Sequence, residues 1–416
     1  MIRFLSIILL LISFSLSLHA QKNISLKRRF KEASASIKSA SNQENIERIL
    51  LDSLQQLTTT EKIKAEGYHL CALLQHSING NYNTKAYLKQ SLDTIKLYTS
   101  ILRIYEYSLR SDSFDIDRKF EDKNIKLRKL HRQNLLGGGI FTLKKSRWSD
   151  AYSFFDMYLK TSTVDSDSTL SQVAYWATVC GMNENNPIHV LAHLNTAMLS
   201  SSVNNKAVLR EFEARSYMSL GDSLRWLSVL EESVDVYTGY NYFFLNLMDY
   251  YVRNGDVERG IAKTDSLLAI DSDRAVYWFA KSMFALSQSD YHFCIQMSDE
   301  CLSRDSNNVD ALYNKGISLL NLALSEKNLT KRKILYRRAL EPMQRVRELL
   351  PDDVTRWGNP LYRIYLNLNM GEKFDEIDSL LEQQHIAIEN QDNTISPSQK
   401  FNNAKSTSSY KRIGEY

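Results

Sequence analysis

Proline and glycine are scarce in this chain, with 5 and 14 residues respectively among 416. A β-sandwich or barrel needs a cluster of such turn-forming residues about every eight to twelve positions. The composition therefore argues against a turn-rich β fold. Apolar residues make up 43% of the sequence, which is enough for a continuous core. We expect an all-α protein.

Cysteine is also rare, with only four residues. Cys294 and Cys301 lie seven positions apart on one predicted helix, a rise of about 10 Å. A disulfide needs Cα atoms within about 7 Å, so this pair cannot bridge. Cys71 and Cys180 could be oxidised in an exported protein, and the sequence leaves both states open. We expect small buried core residues at these positions.

Long apolar runs are missing except at the N-terminus. Arg3 precedes an apolar segment at 4–18, and Ala20 offers a small residue for cleavage before Gln21. About 15 apolar residues are short for a membrane span, which needs about 20. We predict a signal peptide at 1–20 and export to the periplasm or the medium, with no membrane span after cleavage. An uncleaved anchor is the alternative.

The charge is nearly balanced over the whole chain, at +4, but not along it. Residues 21–147 carry 24 Lys and Arg against 13 Asp and Glu, and the densest basic run is 118–132. Such a run could bind an acidic partner, lipid headgroups or nucleic acid. Because the chain is predicted to be exported, we expect no nucleic acid, and a solvated helix face is the simpler interpretation.

Signatures of catalysis and of metal binding are missing. The glycines at 137–139 are not followed by the lysine of a phosphate-binding loop. His189 and His193 lie four residues apart and would share a helix face, but the H-E-x-x-H pattern is absent. We expect neither an enzyme nor a bound cofactor or metal.

What the chain does contain is a repeat. The segments LGDSLRWL, NGDVERGI and QSDYHFCI place Asp222, Asp256 and Asp290 at intervals of 34 residues. The corresponding units start at Ala207, Asn241, Ala275 and Val309. Gly221 or Gly255 can end one helix in a left-handed conformation, and the aspartate after it can cap the next helix.

These units resemble the tetratricopeptide repeat. The resemblance lies in the period, the aromatic Trp278, the small Gly316, the tyrosine column of Tyr217 and Tyr251, and the Gly-Asp turn. It implies a right-handed α-solenoid of stacked helix-turn-helix units, because neither helix of a unit can bury its face alone. The segments YLKQSLDTIKLY and AYWATVCG also resemble exported repeat proteins of the Bacteroidetes.

The predicted organisation has four parts. The signal peptide at 1–20 precedes a basic helical region with degenerate repeats at 21–131. The repeat array follows at 132–384, and a polar tail without apolar periodicity covers 385–416. We predict that the tail is disordered.

The resemblance implies a concave wall lined by the first helix of each unit. Mapped onto this sequence, the wall residues are Gln133, Leu136, Lys144, Glu211, Arg215, Tyr242, Asp249, Arg253, Phe279, Met283, Tyr313 and Asn321. Tyrosine, arginine and methionine are enriched at protein interfaces. Each of these residues could instead pack against a neighbouring repeat.

The function that we expect is a secreted or periplasmic scaffold, which binds a protein or peptide partner on its concave face. One alternative is the receiver part of an envelope signalling system. A glycan-binding protein or an enzyme is a further alternative. The sequence predicts neither the identity of the partner nor the oligomeric state.

Overall fold

The computed structural model describes residues 26–56, 61–162, 168–199 and 202–386. The predicted signal peptide at 1–20 and nearly all of the predicted tail, from residue 387 onward, lie outside the described residues. The chain forms two compact units, with the boundary after Gly221. They are called here the N-terminal unit (described from 26 to 221) and the C-terminal unit (222–386).

Eighteen helices and no strands occur in the described residues. The N-terminal unit contains α1 (26–39), α2 (Gln43–Gln56), α3 (Glu61–Tyr87), α4 (Thr94–Phe114), α5 (Glu121–Lys144), α6 (Trp148–Lys160), α7 (Ser168–Asn183), α8 (Pro187–Met198) and α9 (Val203–Ser219). The C-terminal unit contains α10 (Ser223–Val234), α11 (Asn241–Asn254), α12 (Val257–Ile270), α13 (Ala275–Ser287), α14 (Tyr291–Arg304), α15 (Val309–Ser325), α16 (Leu329–Leu349), α17 (Val354–Asn367) and α18 (Gly371–Gln383).

The helices pack in consecutive pairs, so the predicted all-α repeat fold is confirmed. In the N-terminal unit, α3 packs on α4, α5 on α6 and α7 on α8. In the C-terminal unit, α13 packs on α14, α15 on α16 and α17 on α18. The predicted unit starts at Asn241, Ala275 and Val309 coincide with the first residues of α11, α13 and α15.

The turns between paired helices mostly follow the Gly-Asp prediction. Gly221 and Gly255 have φ values of 74° and 76°, in the left-handed region where glycine pays no steric cost. Asp222 and Asp290 each accept a hydrogen bond from a backbone N–H in the first turn of the next helix, at 3.1 Å. The prediction is wrong for Asp256, which makes no such bond. Its ψ of 44° differs from the 75° and 77° of the two capping aspartates.

Glycine allows close contact between consecutive helices at three repeat positions, within a pair at Gly139 and Gly316 and between neighbouring pairs at Gly260. A Cβ on Gly139 would collide with the ring of Phe155, as the repeat predicts for a small residue. On Gly316 it would meet the side chain of Met343, and on Gly260 the ring of Phe284. Gly260 stands where the repeat usually has alanine, and the bulk of the phenylalanine explains the exchange.

The core consists of several apolar clusters. In the N-terminal unit, one cluster includes Leu50 and Ile104, and another includes Tyr105 and Phe155. The largest fully buried side chain described in the C-terminal unit is that of Trp357, whose cluster spans α13 to α18. No described helix combines the length and the apolarity that a membrane span requires.

The predicted boundary between residues 131 and 132 lies within α5. The chain does not break there, because α5 packs as one helix on both α4 and α6. The division into compact units occurs later, between α9 and α10. The basic N-terminal region and the first repeats therefore belong to the same unit.

Candidate binding surfaces

The residues predicted to line the concave wall divide into buried and exposed groups. Five of them are buried in helix packing, which is the alternative that the sequence left open for each residue: Glu211, Phe279, Met283, Tyr313 and Asn321. The sequence could not show this, because α13 and α15 bury more than one side against their neighbours. The seven others keep exposed surface: Gln133, Leu136, Lys144, Arg215, Tyr242, Asp249 and Arg253.

Three of the exposed wall residues lie on one side of α11. Tyr242, Asp249 and Arg253 are separated by seven and four positions, which places them on the same helix face with Asn246. Arg253 donates a hydrogen bond to Asp249 at 3.0 Å, and its side chain is 58% exposed. Partial burial raises the pKa of Asp249, although Arg253 opposes this rise. These four residues are called the α11 row.

The other exposed wall residues lie in the N-terminal unit. Arg215 on α9 bonds the buried carboxylate of Glu211 at 2.6 Å, and Lys144 ends α5. These side chains and the α11 row belong to different units, and each group is described by itself.

The histidine pair on α8 is held by carboxylates. His189 contacts Glu184 at 3.0 Å and stacks on Tyr152 with ring centroids 3.7 Å apart. His193 contacts Asp156 at 2.9 Å. Across the described ranges, no group of three or more His, Cys, Asp or Glu side chains is placed to hold a metal ion.

The four cysteines are free and buried. Burial raises the pKa of Cys294 to about 11 and the pKa of both Cys180 and Cys301 to about 12, and it also raises the pKa of Cys71. At neutral pH all four are protonated thiols, which are poor nucleophiles. The predicted role as buried core residues is confirmed.

The basic run at 118–132 is only partly a solvated helix face. Lys119, Lys123, Lys126 and Lys129 are exposed. Arg128 is instead mostly buried and contacts Asp112 at 2.7 Å. The interpretation as a solvated face holds for the lysines and not for Arg128, which connects α5 to α4.

A cleft that was not predicted from the sequence lies between α2 and α4, which both pack on α3. Its volume is about 680 Å³. Its lining includes Glu44, Glu47, Arg48 and Asp52 from α2, Gln75, Ile78 and Tyr82 from α3, and Lys96, Ser100, Arg103 and Tyr107 from α4. The available signal was polar residues recurring three or four positions apart on both α2 and α4, outside the regular repeats.

A buried carboxylate lies at the base of this α2–α4 cleft. Glu47 is only 4% exposed, and one of its carboxylate oxygens, Oε2, accepts a hydrogen bond from the side-chain amide of Gln75. The other oxygen, Oε1, has no hydrogen-bond partner within the described residues. Burial raises the pKa of Glu47, while Tyr107 and Arg103 counteract the rise.

Comparison with known proteins finds likeness only among solved structures. No protein-family model and no curated protein matches the chain. The C-terminal part of a TPR repeat-containing protein from Cytophaga hutchinsonii aligns with 60% of this chain and 95% of its own, at 14% identity and a TM-score of 0.43.

Two further structures show weaker likeness. PilW, described as a type IV pilus biogenesis factor, aligns over 55% of this chain and 98% of its own, at 12% identity and a TM-score of 0.38. The TPR domain of P58(IPK) covers 87% of this chain and 100% of its own, at 14% identity and a TM-score of 0.28. At these scores the likeness adds no weight to the fold, which rests on the helix pairs of the chain itself.

Proposed function

We propose that this chain is an exported helical-repeat scaffold that binds a protein or peptide partner. The observation that carries the proposal is the α11 row, in which a tyrosine, a carboxylate and a largely exposed guanidinium share one helix face. Tyrosine and arginine are the residues that most often anchor protein interfaces. No catalytic step forms part of the proposal.

The helix that carries the row is firmly held. Phe243, Phe244, Leu247, Met248 and Tyr251 are the buried residues of α11. The aromatic residues among them pack in part on their neighbours, with the ring centroids of Phe244 and Tyr277 4.9 Å apart. A row fixed in this way loses little conformational freedom on binding, which supports its use as a recognition surface.

The test is crosslinking and co-purification of the tagged mature protein from its own cell envelope. We expect the variant Tyr242→Ala/Arg253→Glu to capture at least about tenfold less partner than wild type, because both anchors are removed. The matched control is Tyr87→Ala/Arg28→Glu, which changes the same residue types at sites 87% and 83% exposed in the N-terminal unit. If both variants capture the partner equally, the assignment of the binding site to the α11 row is wrong. If the wild-type protein captures no partner, the scaffold proposal is wrong.

Export is a separate part of the proposal. It is supported by Arg3, the apolar segment 4–18 and Ala20 in the sequence. Cell fractionation followed by N-terminal sequencing tests it, and we expect a mature chain that begins at Gln21. Recovery from the cytoplasm with Met1 intact would overturn this part and leave the binding proposal standing.

A further inference from the structure

The α2–α4 cleft carries charges of opposite sign on its two walls. The α2 wall presents the carboxylates of Glu44, Glu47 and Asp52 together with Arg48. The α4 wall presents Lys96 and Arg103. A volume of about 680 Å³ lies within the range of about 300–1,000 Å³ that is typical of ligand pockets.

The least satisfied group in the cleft is an acceptor. Lys96 and Arg103 are exposed, so water solvates their charges. Glu47 is buried, and its Oε1 has no hydrogen-bond partner within the described residues. Leaving a buried carboxylate oxygen without a donor is unfavourable, and a ligand that supplies positive charge nearby relieves the cost.

Aromatic rings complete the surroundings of this acceptor. Tyr82 lines the cleft from α3, and its hydroxyl donates to Glu44 at 3.4 Å. Tyr107 lines the cleft from α4, and it stabilises the charged form of Glu47 together with Arg103. Carboxylates beside tyrosine side chains suit an ammonium or a guanidinium group.

We propose that the α2–α4 cleft binds a peptide segment of a partner through an arginine or lysine side chain, whose cation is attracted by Glu47 and Glu44. Lys96 and Arg103 on the opposite wall then face the carbonyl and carboxylate groups of the same segment. The cleft is larger than one side chain, which favours a peptide over a small free amine. This site lies in the N-terminal unit and is independent of the α11 row.

The test measures the binding of three probes to the full chain by isothermal titration calorimetry. They are acetyl-Ala-Ala-Arg-Ala-Ala-amide, the same peptide with neutral citrulline in place of arginine, and agmatine. We expect the arginine peptide to bind at least about tenfold more tightly than the citrulline peptide, since the two differ in charge and hardly in shape. Agmatine should bind more weakly than the arginine peptide.

Two variants locate the site. Glu47→Gln keeps the shape of the side chain and removes the charge. We expect it to weaken the binding of the arginine peptide by at least about tenfold. Glu121→Gln on α5 lies outside the cleft and should change the affinity by less than about threefold. Thermal unfolding checks that both variants fold, so that a loss of affinity is not read from an unfolded chain.

Several outcomes would overturn the proposal. These are no binding of the arginine peptide at millimolar concentration, equal binding of the citrulline peptide, or an unchanged affinity in Glu47→Gln. Tighter binding of agmatine than of the peptide would overturn the assignment to a peptide segment. The variant Tyr242→Ala/Arg253→Glu should bind the arginine peptide as wild type does, so failure of the α11 row and failure of this cleft are distinguishable.

Discussion

The two units of this protein both bury apolar clusters, but the N-terminal unit buries more polar side chains among them. In the N-terminal unit a polar chain runs through the interior, with His69 contacting Asn124 at 2.7 Å and Asn124 donating to Asp112 at 2.7 Å. In the C-terminal unit the contacts between helices are mainly apolar, as in the cluster around Trp357. The comparison shows that one helix-pair architecture accepts both kinds of interior.

The difference explains why only part of the repeat is visible in the sequence. Apolar contacts between helices require similar residue types at each period, so they leave columns that can be read. A polar network needs particular partners at particular distances, as between Asn79 and Ser100 at 2.9 Å, and these partners need not recur. Helices α2, α3 and α4 therefore pack on one another without showing the regular motif.

The largest loss of stability that we expect is in the C-terminal unit. Trp357 is 1% exposed, and its indole N–H donates to the carbonyl of Leu350 at 2.8 Å. Trp357→Ala should lower the free energy of unfolding by about 3–5 kcal/mol, because it leaves a cavity. Hydrogen exchange should increase in α15–α18 and not in α3–α5, if the two interiors are separate.

Trp278→Ala is the matched control for this prediction. Its indole N–H also donates to a backbone carbonyl, that of Ser272, at 2.8 Å. A guanidinium lies near each ring: Arg304 is 4.7 Å from the centroid of Trp278, and Arg347 is 5.1 Å from that of Trp357. Trp278 is only half-buried, so its loss should cost about half as much. Equal costs would mean that the hydrogen bond and the cation, rather than burial, stabilise both sites.

Close helix contact in the N-terminal unit can be tested at Gly181. A Cβ at this position would lie 2.7 Å from the backbone nitrogen of Val190, and a backbone atom of a packed helix cannot move aside as a flexible side chain can. Gly181→Ala should cost about 1–3 kcal/mol in chemical denaturation. Gly80→Ala in α3 meets nothing within 4 Å and should instead stabilise by about 0.5–1 kcal/mol. A stabilising Gly181→Ala would show that α7 and α8 separate easily.

Acid should destabilise the N-terminal unit through a histidine pair of which one member, His131, is buried. His76 and His131 share a hydrogen bond of 2.9 Å between ring nitrogens, and burial lowers the pKa of His131 from 6.5 to about 4. The unfolded chain then binds more protons between these values, so stability is lost as the pH falls from 6.5 towards 4. For His131 alone the loss between pH 7 and pH 5 is about 2 kcal/mol.

Urea denaturation at the two pH values measures this loss, with His131→Leu beside wild type. The variant should lose much of the pH dependence, while His292→Leu, at an exposed position in the C-terminal unit, should keep it. An unchanged pH dependence in His131→Leu would assign the acid sensitivity to other groups. His69 is one such group, because burial lowers its pKa as well.

The smallest effect concerns an ion pair that the repeat reproduces. Lys281 contacts Asp265 at 2.7 Å, and 34 residues later Lys315 contacts Asp299 at 2.8 Å. Each pair should contribute less than about 1 kcal/mol, because its carboxylate is exposed. Double-mutant cycles should give similar coupling energies for both pairs, falling with added salt. A large difference would show that equal sequence spacing hides unequal surroundings.

Sequence alone predicted the regular part of the fold well. The start of α11 at Asn241 and the left-handed Gly255 follow from the period and from glycine chemistry, which are local properties. The burial of Tyr313 did not follow, since it depends on how many neighbours α15 has. Glu47 was missed for a related reason: only the packing of α2 on α3 shows that its carboxylate is buried.

The four buried thiols can report local opening of the structure without any added label site. Cys71 and Cys180 lie in the N-terminal unit, and Cys294 and Cys301 lie in the C-terminal unit. A thiol reagent reaches such a side chain only when its surroundings open. The rate at which each cysteine is alkylated in the native protein therefore measures how often the region around it opens. Mass spectrometry of the four labelled peptides would time the opening of the polar and the apolar interior side by side, in the unmutated protein.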